Sequence, residues 1–348
     1  MPELRRVTPT GLMVMSAKDM HADREAWLRL RRYREGVGYC IGSSDVPSIL
    51  GIKDAGTALA VWHEKVHLIE TPDNEAMFWG RMDEDTTARY WRDRNRSVTR
   101  TVGLIAAEST PWAQASLDRM VLECPLDRGV KCAVEVKHRG AFGSRRLHAE
   151  VPDDMLAQMC WQIFVSGYDH IHYAARIGGN VYKQGVVRAE DNREVIDFVV
   201  AEVTQFRSKH LAGRGAEVEP PWPIEDKAAH LIDLDSQLYP TRVGELEVAE
   251  IGEVMELAML RRKAADAKAE ADKQKARILQ LAKGAELLTF AGEPAIMFKH
   301  TSRSKVDLDM LRENYPEAYA AVVSQTSSYT LEIAKPYVVK KVPKDPEE

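Results

Sequence analysis

The sequence predicts an α/β protein with a central mixed sheet flanked by helices, followed by a helical α+β appendage. Helical patterns dominate residues 20–95, three strand patterns lie between 98 and 137, and a helical pattern at 152–167 precedes two more strands. A strand meander joined by a crossing helix to further strands implies a sheet with parallel and antiparallel neighbours. Beyond residue 243 the chain becomes rich in Ala, Glu, Lys and Arg, which is typical of a long helix.

The composition is that of a globular protein with room for a full hydrophobic core. Of 348 residues, 45% are hydrophobic and 29% are charged, and the formal net charge is −5. No apolar run approaches the roughly 20 residues that cross a bilayer, and the N-terminal residues lack the apolar stretch of a signal peptide. We therefore expect a cytoplasmic protein. Its negative charge argues against coating nucleic acid through bulk charge, although arginines cluster locally at 24–34, 81–100 and 137–146.

The cysteines give no sign of a metal site. Cys40, Cys124, Cys132 and Cys160 are scattered without a CxxC pattern or an adjacent Cys/His pair. This spacing predicts neither a zinc nor an iron–sulfur site, and cytosolic thiols stay reduced. We interpret all four as small packing residues.

The helices before the first strand follow from apolar spacing and capping residues. A basic helix covers about residues 20–35, and a Ser-Ser-Asp sequence supplies N-cap chemistry for a short helix at 46–50, which ends at Gly51. Two further helices are predicted at 58–67 and 74–95.

The predicted sheet follows from period-two patterns and turn residues. Strands are expected at 98–107, 112–121, 130–137, 172–177 and 183–188. Pro152 stands at the start of the crossing helix, which runs to Gly167, and a closing helix spans about 191–211.

Four parts of the chain are expected from these elements. Residues 1–23 are an N-terminal extension, 24–215 the principal domain, 216–242 a linker, and 243–348 a long helix with a small α+β region. The linker is inferred from a stretch without clear period that contains Pro220, Pro221, Pro223 and Pro240.

Three residues around the predicted strands could carry chemistry. On a strand, Glu135 and Lys137 share one face, where a carboxylate and an ammonium are costly to bury unless they serve each other or a site. Short Glu-x-Lys matches also occur on ordinary half-exposed strands. Asp118 ends an apolar run upstream and could equally be a turn residue. Together the two carboxylates could hold a divalent cation, and the lysine could orient water or offset phosphate charge.

Two helices add polar candidates. Helical spacing places Glu84 on a stripe with Gly80, Ala88 and Trp91, so this acid should face the sheet. Gln158 and Gln162 lie one turn apart in an apolar helix and could assist a site, although a helix face at the core edge explains them equally well.

The order of five short motifs resembles a known family. These are Ile41-Gly42-Ser43-Ser44-Asp45, Trp79-Gly80 with Glu84, Ser116 with Asp118, Glu135 with Lys137, and Ala157-Gln158. Over residues 24–210 this order is similar to the YqaJ-type viral recombinases, a phage branch of the lambda-exonuclease-like PD-(D/E)XK nucleases. The resemblance implies a restriction-endonuclease-like core and a Mg²⁺-dependent (alternatively Mn²⁺-dependent) 5′-to-3′ exonuclease on double-stranded DNA ends. The single-stranded product would pass to a phage annealing protein in the host cytoplasm, and a homo-oligomeric ring stays open.

The resemblance also implies roles for particular residues. Glu84, Asp118 and Glu135 would be metal ligands, Lys137 the catalytic lysine and Gln158 a supporting residue. Ser44 and an arginine would bind the 5′-phosphate. Arg34 is our choice, with Arg31 and Arg32 close behind.

The loop after the lysine is basic and could contact DNA phosphates or simply be solvated. Its candidates are Arg139, Arg145 and Arg146, and Phe142 could stack on a base.

One departure keeps other functions open. The family usually reads Ser-Pro-Asp-Gly where this chain has Ser116-Leu117-Asp118-Arg119. The alternatives are a PD-(D/E)XK enzyme that cuts internally or on a structured substrate, and a catalytically decayed scaffold that binds DNA ends for an annealing protein.

Overall fold

The structure, a computed structural model, describes residues 4–52, 56–68, 75–140, 151–242, 245–247, 250–299, 308–323, 331–334 and 338–339. The chain divides into two compact units, Met1–Tyr239 and Pro240–Glu348.

The first unit carries the mixed α/β architecture that the sequence predicts. In chain order its elements are β1 (Gly11–Ser16), α1 (Ala17–Ala22), α2 (Arg24–Arg32), β2 (Tyr33–Arg34), β3 (Gly38–Tyr39), α3 (Val46–Ile49), α4 (Ala58–His67), α5 (Glu75–Arg94), β4 (Thr99–Arg100), β5 (Gly103–Ala107), β6 (Gln114–Leu117), β7 (Arg119–Val121), β8 (Cys132–Arg139), α6 (Asp153–Ser166), β9 (His170–Ile177), β10 (Val181–Arg188), α7 (Arg193–His210) and α8 (Ile224–Leu238).

The principal sheet has five strands in the order β10-β9-β8-β7-β4. Strands β8 and β9 run parallel, whereas β7 with β8, β9 with β10 and β4 with β7 are antiparallel. Helix α6 is the crossover that two parallel neighbours require. The predicted mixed sheet flanked by helices is therefore confirmed.

A second sheet, β1-β5-β6, arises because two predicted strands bend sharply and divide. The first divides into β4 and β5 before Gly103, which has φ +105°, and a Cβ there would lie 2.2 Å from the Met15 carbonyl oxygen. The second divides at Asp118, between the end of β6 and the start of β7. Because Asp118 lies at this break, it does not belong to the regular hydrogen-bonding pattern of either sheet.

Helix α6 is packed nearly all round. Trp161, Met159 and Cys160 on this helix are fully buried. The Trp161 indole N–H donates to the Gln114 carbonyl oxygen at 3.0 Å and ties the helix to β6. Polar side chains on α6 are thus held at fixed positions against the sheet.

Both predicted boundaries of the principal domain differ from the structure. Residues 11–16 of the predicted extension form β1, which pairs with β5. The predicted linker contains α8, whose Leu231 and Leu234 are buried against Leu59. The prolines before Ile224 precede a helix start, where their missing N–H groups cost little, and so do not mark an extended linker.

The second unit contains α9 (Gly252–Ala282), β11 (Leu287–Phe290), β12 (Glu293–Met297), α10 (Leu308–Asn314) and α11 (Pro316–Val322). The long helix and the small α+β region follow the sequence prediction, and β11 pairs with β12 as an antiparallel hairpin. Helix α10 ends at Asn314, and Pro316 starts α11 because proline cannot continue a helix. Within the described parts of the chain, no helix is both long enough and apolar enough to span a membrane.

All four cysteines are buried, as the packing interpretation predicts. Cys40 and Cys160 are buried packing residues, as expected. The Sγ atoms of Cys124 and Cys132, however, lie with ring nitrogens of His170 and His172 in a group whose ligand atoms are all within 4.8 Å of one another.

Candidate active site

Strand β8 places Glu135 and Lys137 on the face that packs against α6. The Lys137 Nζ lies 2.6 Å from Glu135 Oε1. Glu135 is 3% exposed, so its charge is held by partners and not by water. Side chains alternate along a strand, so Glu135 and Lys137 share one face while Val134 and Val136 lie on the other.

Two glutamines of α6 hold this pair. Gln158 accepts a hydrogen bond from Lys137 Nζ at 2.7 Å and donates to Glu135 Oε1 at 2.7 Å. Gln162 donates to Glu135 Oε2 at 2.7 Å and is fully buried. Both carboxylate oxygens are therefore oriented by amides one helical turn apart, which favours a site over a helix face at the core edge.

Asp118 lies beside Glu135 at the break between the two sheets. Its Oδ2 accepts the backbone N–H of Val136 at 2.6 Å, a bond that fixes the carboxylate against β8. Burial, and next the negative charges of Glu135 and Glu84, raise the pKa of Asp118 well above its usual range, although Lys137 and the Val136 N–H oppose the shift.

Glu84 comes from α5, on the inward stripe with the buried Ala88 and Trp91. Arg119, one of the two residues that depart from the family motif, donates to Glu84 Oε1 at 2.7 Å. The same guanidinium contacts Asp85 at 3.1 Å and the Asp118 carbonyl oxygen at 2.5 Å. Arg119 thus partly neutralises the third acid of the site.

This donor set fits a divalent cation with hard oxygen ligands. Glu84, Asp118 and Glu135 bring three carboxylates to one cleft, where Lys137 pairs with Glu135 and Arg119 pairs with Glu84. The pKa of Asp118 is raised first by burial and next by the negative charges of Glu135 and Glu84, which a bound cation would offset. Carboxylate clusters of this kind suit Mg²⁺ or Mn²⁺.

The cleft, about 450 Å³ in volume, continues to the loop before α3. There Arg31 donates to the Ser44 hydroxyl at 2.6 Å and lies 3.7 Å from Asp45. Asp45 Oδ2 also accepts a hydrogen bond from Lys65 Nζ at 2.6 Å, and the lysine side chain is fully buried. The Arg31 guanidinium stacks over the Trp27 ring at 4.9 Å, which fixes its position.

The choice of Arg34 beside Ser44 is corrected by this geometry. Arg34 is buried in β2 and donates to the Pro111 carbonyl oxygen at 2.9 Å. Arg32 is also buried. Helix α2 ends at Arg32, so Arg34 continues as a strand and leaves the helix face that carries Arg31.

Of the three arginines predicted to contact DNA phosphates after the lysine, only Arg139 is described. It is the last residue of β8 and contacts Asp154 at the start of α6. Arg145, Arg146 and Phe142 lie outside the described residues.

Sequence reasoning missed Lys65 and Asp45 as a buried pair. A lysine within the apolar pattern of 58–67 was the available signal, because a buried ammonium needs a partner. The same argument about the cost of burying a charge, which singled out Glu135, also applies to Lys65.

An acid at a break between two sheets, a Glu-x-Lys strand and a helical acid thus line one cleft, as the motifs predict. Residues 26–169 match the family model of the YqaJ-like viral recombinase domain. The resemblance predicted from the motifs is confirmed, and the match supports the predicted class of enzyme, a DNA exonuclease that hydrolyses phosphodiester bonds.

Solved structures give weaker likenesses. The alkaline exonuclease of Laribacter hongkongensis aligns over 53% of this chain and 93% of its own, with 16% identity and a TM-score of 0.40. The same enzyme in complex with dAMP gives 16% identity, the same coverage and a TM-score of 0.39. The protein SSO0001 aligns over 53% of this chain and 86% of its own, with 10% identity and a TM-score of 0.30. A search of curated proteins found no match.

Proposed function

We propose that this chain is a metal-dependent exonuclease that degrades one strand of double-stranded DNA from its ends, in the 5′-to-3′ direction, for phage recombination. The observation that carries the proposal is the hydrogen-bonded set Asp118, Glu135, Lys137 and Gln158 on the floor of a cleft that also holds Arg31 and Ser44. The YqaJ-like match over residues 26–169 supports it.

Glu84, Asp118 and Glu135 would hold Mg²⁺, with Mn²⁺ as the alternative. When bound, the ion supplies Lewis acidity at the phosphodiester and lowers the pKa of an attacking water. Gln158 and Gln162 keep Glu135 oriented for this task, because each donates to a different carboxylate oxygen.

Lys137 is positioned to act on water and phosphate. Its ammonium has one carboxylate and one amide oxygen as partners, so a third N–H can point into the cleft. There it orients the attacking water and offsets negative charge that develops on the phosphate oxygens.

Arg119 should weaken metal binding because its guanidinium competes for Glu84. We expect Arg119→Ala to lower the Mg²⁺ concentration that gives half-maximal cleavage by about threefold to tenfold, the size of one charge-assisted hydrogen bond. A Mg²⁺ titration at saturating DNA measures this. Arg89→Ala is the matched control, since Arg89 contacts Asp85 at 2.7 Å without contacting Glu84. A higher Mg²⁺ requirement in Arg119→Ala would show that Arg119 holds Glu84 in place instead.

Arg31 and Ser44 form a ready anion site at the other end of the cleft, which suits a terminal 5′-phosphate. We expect Arg31→Ala to remove most of the preference for 5′-phosphorylated over 5′-hydroxyl ends, by about tenfold or more in kcat/KM. Arg29→Ala is the matched control, because Arg29 lies on the same helix with its side chain 66% exposed. Equal loss on both kinds of end would contradict a phosphate role.

The proposal is tested with linear duplex DNA labelled at either end, beside a covalently closed circle of the same sequence. Mg²⁺-dependent release of nucleotides from 5′ ends, with the circle intact and no release in chelator, is expected. Cutting of the circle would move the function to an endonuclease. Binding of ends without cleavage by either metal would favour the scaffold, and the Arg119–Glu84 pair is the observation that favours that second candidate.

The partners proposed are double-stranded DNA ends and a single-strand annealing protein that receives the product. A homo-oligomeric ring would keep the enzyme bound to the DNA between successive cleavages. Co-purification with an annealing protein encoded beside the gene, and the mass of the purified protein in solution, test these two points.

A further inference from the structure

We propose that Cys124, Cys132, His170 and His172 form a structural zinc site on the face of the principal sheet opposite the nuclease cleft. Their ligand atoms all lie within 4.8 Å of one another, and all four residues are buried. This site is separate from the three carboxylates and has a different metal chemistry.

The distances suit one tetrahedral ion. The Cys124 Sγ lies 3.2 Å from His170 Nε2 and 3.3 Å from His172 Nε2. In a tetrahedral zinc site with ordinary Zn–S and Zn–N bonds, a sulfur and a nitrogen are about 3.6 Å apart. These two distances therefore need to change by only a few tenths of an ångström to suit a zinc ion.

The fold produces this group through strand register. Cys132 begins β8, and His170 and His172 share one face of β9 because they are two residues apart. Strands β8 and β9 are parallel, with Val134 beside His172, so Cys132 falls next to His170. Cys124 enters from the loop after β7.

Charge and burial favour a metal over four unrelated polar groups. Two thiolates and two neutral imidazoles balance the charge of Zn²⁺, so the complete site has no net charge to bury. The backbone N–H of Leu126 donates to Cys124 Sγ at 3.4 Å, an interaction that helps to hold a thiolate ligand. Four protein ligands leave no open position, which marks a structural site and not a catalytic one.

The site would brace the strand that carries the catalytic residues. Cys132 and Val134 lie on the face of β8 opposite Glu135 and Lys137, in a cluster with Trp91 of α5. The Trp91 ring stacks against His172 with centroids 5.1 Å apart. One ion would thus tie the loop after β7, strand β8 and strand β9 together behind the cleft.

Zinc content of the full chain tests the proposal. Protein purified from zinc-supplemented cells and dialysed against a weak chelator should retain about one zinc per chain by elemental analysis. Cys124→Ala and His172→Ala should each lose at least about tenfold in zinc content. Cys160→Ala, a buried cysteine outside the group, and Asp118→Asn, in the nuclease cleft, should keep their zinc.

Cobalt substitution keeps the test independent of variants that fold poorly. Wild-type protein loaded with Co²⁺ should show thiolate charge-transfer absorption and the strong visible bands of tetrahedral cobalt. Absence of both zinc and these bands in the wild type would overturn the proposal. So would an intact mass that shows a Cys124–Cys132 disulfide in freshly purified protein, or zinc that persists in both ligand variants.

Discussion

Lys137→Ala is expected to lower the rate of DNA hydrolysis by about three to four orders of magnitude while DNA-end affinity changes by less than about threefold. The ammonium is bound to Glu135 at 2.6 Å and to Gln158 at 2.7 Å, so its position on the cleft floor is fixed. Its loss removes both water orientation and phosphate charge compensation. Single-turnover cleavage and fluorescence anisotropy of labelled duplex DNA separate the two quantities.

The matched control is Lys131→Ala, an exposed lysine that directly precedes β8. It should cleave at the wild-type rate. A loss of less than about tenfold in Lys137→Ala would mean that the lysine is a structural partner of Glu135 and not a catalytic residue.

Asp118→Asn is expected to abolish cleavage, by about four orders of magnitude or more, and to stabilise the metal-free protein. The amide keeps an oxygen for the Val136 N–H but carries no charge beside Glu135 and Glu84. Removing the buried and crowded charge is expected to gain about 1 kcal/mol, which would raise Tm by about 2–4 °C for a unit of the length of Met1–Tyr239. Calorimetry in chelator, together with cleavage assays in Mg²⁺, measures both effects.

The sign of the pH dependence follows from the raised pKa of Asp118. The folded state binds its proton more tightly than the unfolded state, so the stability that Asp118 contributes is present at acid pH and is lost as pH rises through the raised pKa. The Tm advantage of Asp118→Asn over wild type should therefore increase with pH above about 4.

Asp85→Asn provides the opposite case. Hydrogen bonds from Arg119 and Arg89 lower the pKa of this exposed carboxyl, so its replacement should not stabilise the protein at neutral pH. An Asp118→Asn advantage that shrinks with rising pH would contradict the proposed crowding of charge.

Most elements of the principal domain, though not β1 or α8, and most of the groups on the cleft floor can be predicted from the sequence. Alternation alone put Glu135 and Lys137 on one face of a strand, and helical spacing turned Glu84 inward. Gln158 and Gln162 followed from the same periodicity on α6. These predictions succeeded because strand and helix geometry is local: a period of two or of 3.6 residues fixes direction once the element is known.

Which distant groups meet depends on the three-dimensional packing of the chain. The packing places Arg31 beside Ser44 and directs Arg34 elsewhere, because helix α2 ends at Arg32. Helix α8 belongs to the first unit because Leu231 and Leu234 pack against Leu59, and no local sequence pattern specifies this contact. The packing also brings Cys124 and Cys132 to His170 and His172 through the parallel register of β8 and β9. Each of these outcomes depends on strand pairing or packing between segments far apart in sequence, where spacing along the chain carries no information about distance in space.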